Sequence, residues 1–323
     1  MNTFNLTDLP SIEDIRDAAL RIKAYIHRTP VLTSFQLNQL TGRDLFFKCE
    51  NLQKAGAFKS RGAMNAVLSL DEASHAKGVA THSSGNHAQA LARAALITRT
   101  KAWIVMPENA PQVKVNAVKD YKGEVIFCKP TLKDRENTLQ QVLSRYGATA
   151  IHPYNDLEVI KGQATACLEL LEQCPQPDLI LCPVGGGGLL SGTLLARNFL
   201  APGVKVIACE PSGADDAYRS FKARTFFPSI NPTTIADGLL TSLGSVTFPI
   251  ILHYADDIVT VDDNSIIRAM HLIWERMKII VEPSAAVCLA AILEDKIPTG
   301  LKRIGMILTG GNIDLNKLPW IAS

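Results

Sequence analysis

Short apolar runs rich in β-branched residues alternate along most of this chain with longer stretches whose apolar positions return every three or four residues. This is the pattern of βα units built around parallel sheets. The runs predict strands over 45–49, 79–82, 102–106, 125–128, 149–152, 179–183, 204–209, 258–261 and 304–308. The opening helix is marked by Pro10, Ser11 and Asp14, a capping-box pattern, and Ile12, Ile15, Ala19, Ile22 and Ile26 are expected to line its buried face. A further helix is predicted over 60–70, and 221–247, rich in Pro, Thr and Ser, reads as irregular. The run 79–152 holds four compact βα repeats, so the chain is expected to be α/β with two domains. Residues 78–153 form the small domain and residues 1–77 with 154–323 the large one, each an open, mostly parallel sheet flanked by helices. A length of 323 residues at 47% hydrophobic composition fits two cores better than one.

Gly185, Gly186, Gly187 and Gly188 follow the apolar run 179–184 and precede a helical pattern that begins at Leu189. One or two glycines suffice for a strand-to-helix turn, whereas four lose considerable backbone entropy on folding. A side-chain-free turn at a helix start lets backbone N–H groups converge on an anion, so a phosphorylated ligand is expected there. A dinucleotide-binding fingerprint remains open beside it: Gly185, Gly187 and Gly188 nearly fit G-x-G-x-x-G, and Glu210 ends the next apolar run. On that reading the chain is a nicotinamide-dependent dehydrogenase or a nucleotide sensor. Lys59 follows Phe58 and opens a predicted helix, a setting that lowers the pKa of an amine and suits Schiff-base chemistry with an aldehyde.

A net charge of +2 without a basic run argues against a nucleic-acid polymer or an anionic membrane as partner, leaving a small molecule. The N-terminal residues lack a signal pattern and no apolar stretch reaches membrane-spanning length, so a cytoplasmic location is expected. The seven cysteines lack C-x-x-C spacing and fall mostly in apolar runs, which reads as core thiols rather than a disulfide or zinc framework.

Four segments, 56–63 around Lys59, 83–90 (Ser-Ser-Gly-Asn-His-Ala-Gln-Ala), 185–192 and 309–312 (Thr-Gly-Gly-Asn), resemble in order the signatures of fold-type II pyridoxal-phosphate enzymes, the tryptophan synthase β-like fold. Within that family the chain resembles the serine racemase and serine/threonine dehydratase branch. The resemblance implies that Lys59 carries pyridoxal 5'-phosphate and later removes the Cα proton. It implies that Gly185, Gly186, Gly187 and Gly188 hold the phosphate, Asn86 the ring hydroxyl, Phe58 the ring face and Thr309 the pyridine nitrogen. A hydroxyl at Thr309 cannot keep that nitrogen protonated, which favours β-elimination. Ser83, Ser84, Asn86, His87 and Arg135 would bind the substrate carboxylate, and Ser84 would reprotonate Cα opposite Lys59, the step that separates racemisation from elimination.

Glu210, the Ala214 carbonyl and Asp216 resemble the family's divalent-cation loop, an oxygen set suited to Mg²⁺, Ca²⁺ or Mn²⁺. Segments 274–278 and 282–286 resemble the racemase side, while Thr309 and Ala55 depart from the Ser and Thr more usual there. The implied activity is racemisation of L-serine with dehydration of L-serine and L-threonine, in a homodimer. The alternative is a catabolic L-threonine/L-serine ammonia-lyase without significant racemisation.

Overall fold

A computed structural model describes residues 4–320. Among the described residues, ten strands form two sheets. The larger contains β1 (Val31–Leu32), β2 (Asp44–Cys49), β7 (Leu179–Pro183), β8 (Lys205–Pro211), β9 (Asp257–Val261) and β10 (Arg303–Leu308) in the order β1-β2-β10-β7-β8-β9. Only β1 is antiparallel to its neighbour. The smaller sheet contains β3 (Val79–His82), β4 (Ala102–Pro107), β5 (Glu124–Cys128) and β6 (Thr149–Ala150), all parallel, in the order β5-β4-β3-β6.

Both faces of the large sheet are covered, which is why its central strands are apolar throughout. Leu179, Leu181, Ile304 and Met306 pack on one side with the helix Pro283–Leu293, while Ile180, Cys182 and Ile307 pack on the other with Leu157–Gln173 and Gly188–Leu200. Successive side chains of a strand point to opposite faces, so one run of residues serves two cores.

The predicted strands are present, 79–82 and 179–183 with the expected ends and the others with ends shifted by one or two residues. The two-residue β1 has no periodicity to read and was not expected. The first helix, Ile12–Ile22, carries the full Ser11/Asp14 capping box. Its buried residues are Ile15, Ala18 and Ile22, so Ala18 takes the place expected of Ala19, in keeping with steps of three and four. The lysine helix spans Lys59–Leu68, one residue earlier than expected. All seven cysteines are free thiols, and only Cys174 is partly exposed.

This topology assembles the site. Lys59 follows β2 by a short turn, the Thr309 segment follows β10, the glycine run follows β7, and Glu210 lies at the end of β8. These four strands are parallel neighbours, so segments far apart in sequence meet at their carboxyl ends, where ligands bind in open α/β sheets. The Ser83–His87 turn follows β3 of the smaller sheet.

Candidate active site

Lys59 is the first residue of its helix, and its Nζ donates to the Pro153 carbonyl at 2.9 Å and lies 5.0 Å from the centre of the Phe58 ring. Desolvation lowers the amine to about 8, with the Glu282 carboxylate partly opposing the shift. The turn is tied to the strand beside it: Phe58 N–H donates to the Thr309 carbonyl at 3.0 Å, and Ala57 bridges Gly310. Phe58 is buried.

The glycine run is closely walled. A Cβ on Gly186 would fall 2.3–2.4 Å from three carbons of the Tyr154 ring, and Gly187 has φ +88°, a conformation open to glycine at little cost. Among the described residues, the amides of Gly185, Gly186 and Gly187 donate to no other residue. They lie at the start of Gly188–Leu200, whose N-cap, Gly187, makes no side-chain hydrogen bond. Converging free N–H groups at a helix N-terminus form an anion cradle.

Ser83 and Ser84 lead into Asn86–Thr98, another helix without a side-chain cap. Asn86 Nδ2 donates to Glu282 Oε1 and Oε2 at 2.9 and 3.1 Å, and Asn86 Oδ1 accepts from Asn312 Nδ2 at 2.9 Å. His87 is 2% exposed; its Nε2–H donates to the Ile151 carbonyl at 3.2 Å while Nδ1 has no partner. Burial and the nearby Lys59 hold His87 down to about 3, and burial with His82 holds His152 down to about 4. Both shifts favour the neutral imidazole at neutral pH. Arg135, near the start of Leu132–Tyr146, donates from Nε to the Thr131 carbonyl at 3.4 Å; burial lowers the pKa of His82, and the Arg135 charge lowers it further. Thr309 is 4% exposed, and its Oγ1 has no partner.

Three residues at this site carried no chemical assignment in the sequence. Glu282 clasps Asn86, and burial pushes its carboxyl up to about 7. The available signal was an acid directly before a proline at a helix start. Pro153 and Tyr154, which meet Lys59 and the glycine run, belong to no motif.

Glu210 is fully buried and accepts from Ala217 N–H at 3.0 Å and Tyr218 N–H at 2.8 Å. Asp216 is 1% exposed and neither carboxylate oxygen has a partner. Desolvation raises both, Asp216 to about 6, and the nearby Asp216 charge raises Glu210 further. The Ala214 side chain is buried between them in sequence. No group of three or more His, Cys, Asp or Glu side chains is placed to hold a metal among the described residues.

The family profile described as pyridoxal-phosphate dependent enzyme matches residues 22–310. The chain is 51% identical over 316 residues to serine racemase of Dictyostelium discoideum, covering 96% of this chain and 97% of that one. It is 50% identical over 312 residues to beta-hydroxyaspartate dehydratase of Paracoccus denitrificans, covering 97% and 99%. Among solved structures, maize serine racemase superposes with a TM-score of 0.93 at 46% identity, covering 95% of this chain and 94% of that one.

Proposed function

The chain belongs to the pyridoxal-phosphate dependent enzymes, and from that premise we propose that it is a serine racemase with accompanying L-serine and L-threonine dehydratase activity. The observation that carries the reading is Lys59: a half-buried amine lowered to about 8, bonded to Pro153, whose neighbour Tyr154 walls the glycine run.

The residues present fit pyridoxal phosphate. Free amides at Gly185, Gly186 and Gly187 suit its phosphate, and the buried, unpartnered Thr309 hydroxyl suits its ring nitrogen. Asn86 would hold the ring hydroxyl, and Phe58 would pack on the ring. The chemistry supplied by the bound cofactor is an aldehyde for amines and an electron sink for bonds at Cα.

What this chain adds is proton management and placement. With a pKa near 8, a substantial fraction of Lys59 is neutral at neutral pH, so its Nζ can take the Cα proton. The Pro153 carbonyl gives that amine a fixed acceptor when it is free. The uncapped start of Asn86–Thr98, with Ser83, Ser84, Asn86 and His87, would bind the substrate carboxylate, and Arg135 would add positive charge from beside His82. The neutral His87 holds position through Ile151 and does not compete for the proton. The Ser84 hydroxyl would return a proton to the other face of Cα, the step that makes D-serine. The dehydratase among the relatives supports loss of the β-hydroxyl as the accompanying outcome.

Glu210, the Ala214 carbonyl and Asp216 would bind Mg²⁺, Ca²⁺ or Mn²⁺; two buried, unpartnered oxygens on Asp216 support a cation there. Residues 78–153, which carry the second sheet, would form the small domain. Phe35, 78% exposed beside Leu40, Leu272 and Arg276, supports burial of this face in a homodimer. Free thiols support a reducing compartment such as the cytoplasm, and among the described residues no helix is long and apolar enough to cross a membrane.

Chiral analysis of L-serine incubated with the purified enzyme is the test. D-serine and pyruvate together are expected. Pyruvate without D-serine would instead establish an ammonia-lyase.

A further inference from the structure

Two residues beyond Lys59, its helix is gripped by a charged network that no step above uses. Arg61 is fully buried, and all five of its N–H donors are engaged. Nε and Nη2 donate to Glu50 at 2.7 and 2.8 Å, Nη1 and Nη2 donate to Glu169 at 2.8 Å each, and Nη1 also donates to Thr165 Oγ1 at 3.1 Å. Glu50 immediately follows β2, and Glu169 lies on Leu157–Gln173. Lys48, fully buried, completes the network by donating to Glu169 at 2.5 Å and to the Thr29 carbonyl at 2.6 Å, but it stands on β2 and not on the lysine helix.

Two cations and two anions buried together are a poor source of stability, since apolar replacements of similar volume often do as well. A rigid guanidinium fork matched to two carboxylates does, however, specify one orientation. The backbone packing depends on that orientation. A Cβ on Gly62 would lie 2.7 Å from the Val159 carbonyl, and one on Gly162 would lie 2.6 Å from the Arg61 carbonyl, so the two helices touch main chain to main chain. The helix after the glycine run packs on the same Leu157–Gln173 element, with a Gly192 Cβ position 2.6 Å from Ala164 N. Leu157–Gln173 is thus the common spacer between Lys59 and the glycine run.

We propose that Arg61, clasped by Glu50 and Glu169, is a positioning residue that fixes the rotation of Lys59–Leu68 on Leu157–Gln173, and with it the place of the Lys59 amine. An amine at the end of a lysine side chain stands roughly 8 Å from the helix axis, given a Cα radius of about 2.3 Å, so a rotation of ~10° moves it by about 1.4 Å. Misplacements of that size cost on the order of 100-fold in rate. The inference rests on the reading of Lys59 as the cofactor-bearing residue.

The test compares the holoenzymes of Arg61→Lys and Asp178→Ala with wild type. The measurements are circular dichroism and melting, kcat and KM for L-serine, cofactor release after dilution, and mass-spectrometric labelling of Lys59 after borohydride. Arg61→Lys keeps the charge but loses the fork: kcat should fall at least about tenfold with KM within about threefold, and cofactor release should quicken about tenfold, in folded protein. Asp178→Ala, which removes the acceptor of the Lys302 and Arg303 amides just before β7, at the end of the sheet away from the site, should melt lower yet keep kcat and release within about twofold of wild type, because it touches neither the Arg61 network nor the lysine helix. Should Arg61→Lys fail to fold, Glu169→Asp, which keeps the charge and shortens the reach, is expected to show the same pattern. Wild-type kcat and release in the Arg61 or Glu169 variant, with Lys59 labelled throughout, would overturn this inference alone. So would an equal loss in Asp178→Ala. An unlabelled Lys59 in wild type would overturn the functional reading beneath it.

Discussion

Adding one methyl group to the glycine run should disturb the site in a calculable way. In Gly186→Ala the new Cβ falls 2.3–2.4 Å from three Tyr154 ring carbons. Carbon atoms in contact prefer about 3.5–4.0 Å, so the ring or the turn must yield by more than about 1 Å. Tyr154 cannot yield freely, because its backbone N–H donates to His152 Nδ1 and the adjacent Pro153 carbonyl holds Lys59. Overpacking of this kind costs about 1–3 kcal/mol. At about 2.1 cal/mol/K per residue, a chain of 323 residues shifts its melting by about 1.5 °C per kcal/mol, so melting should fall by ~1.5–4.5 °C. On the proposed reading the glycine amides that would hold the cofactor phosphate shift with the turn, so cofactor affinity should weaken as well. The decisive assay is a double-mutant cycle read by thermal melting and by cofactor titration. Tyr154→Ala alone should destabilise by opening a cavity, whereas combined with Gly186→Ala it removes the collision. The pair should therefore be better than additive by about 1 kcal/mol or more. Wild-type melting in Gly186→Ala, or strict additivity in the pair, would refute the steric reasoning.

Ser84→Ala should lower D-serine formation from L-serine by about 10²–10⁴-fold while pyruvate formation stays within about threefold; equal loss of both products would remove Ser84 from the proton path. The Glu282 carboxyl, raised from 4.5 to about 7, stays protonated in the folded protein where the unfolded chain has ionised. Its contribution is complete below pH 4.5 and is lost as pH rises through about 7, so Glu282→Gln should flatten the fall in stability across that window in pH-dependent melting. A profile parallel to wild type would contradict this. Mg²⁺ at about 100 times its Kd should stabilise the protein by ~2.7 kcal/mol over a chelator-treated sample, and Asp216→Asn should abolish the difference; identical melting of loaded and chelated wild type would leave no cation site.

Much of this site was legible because its parts are local. The four glycines after an apolar run, Lys59 after Phe58 and the Ser-Ser-Gly-Asn-His turn each pair a strand end with a helix start, and the structure puts Lys59, Gly185–Gly188 and Thr309 at the ends of neighbouring parallel strands. The capping box at Ser11 was legible for the same reason, since its partner lies three residues away. What escaped depends on contacts between distant segments. Glu282 gains its role from Asn86, 196 positions earlier, and Arg61 meets Glu169 across 108. Tyr154 matters because its ring fills the space that Gly186 leaves open. None of these pairings has a period or spacing in the sequence, and only the packed helices bring them into view.

The most direct test of the central claim is reduction of the purified holoenzyme with borohydride, followed by peptide mass spectrometry. The account predicts a pyridoxyl adduct on the Lys59 side chain and on no other lysine, with loss of both D-serine and pyruvate formation. A fully active, cofactor-loaded enzyme whose adduct lies elsewhere, or that carries none, would contradict it.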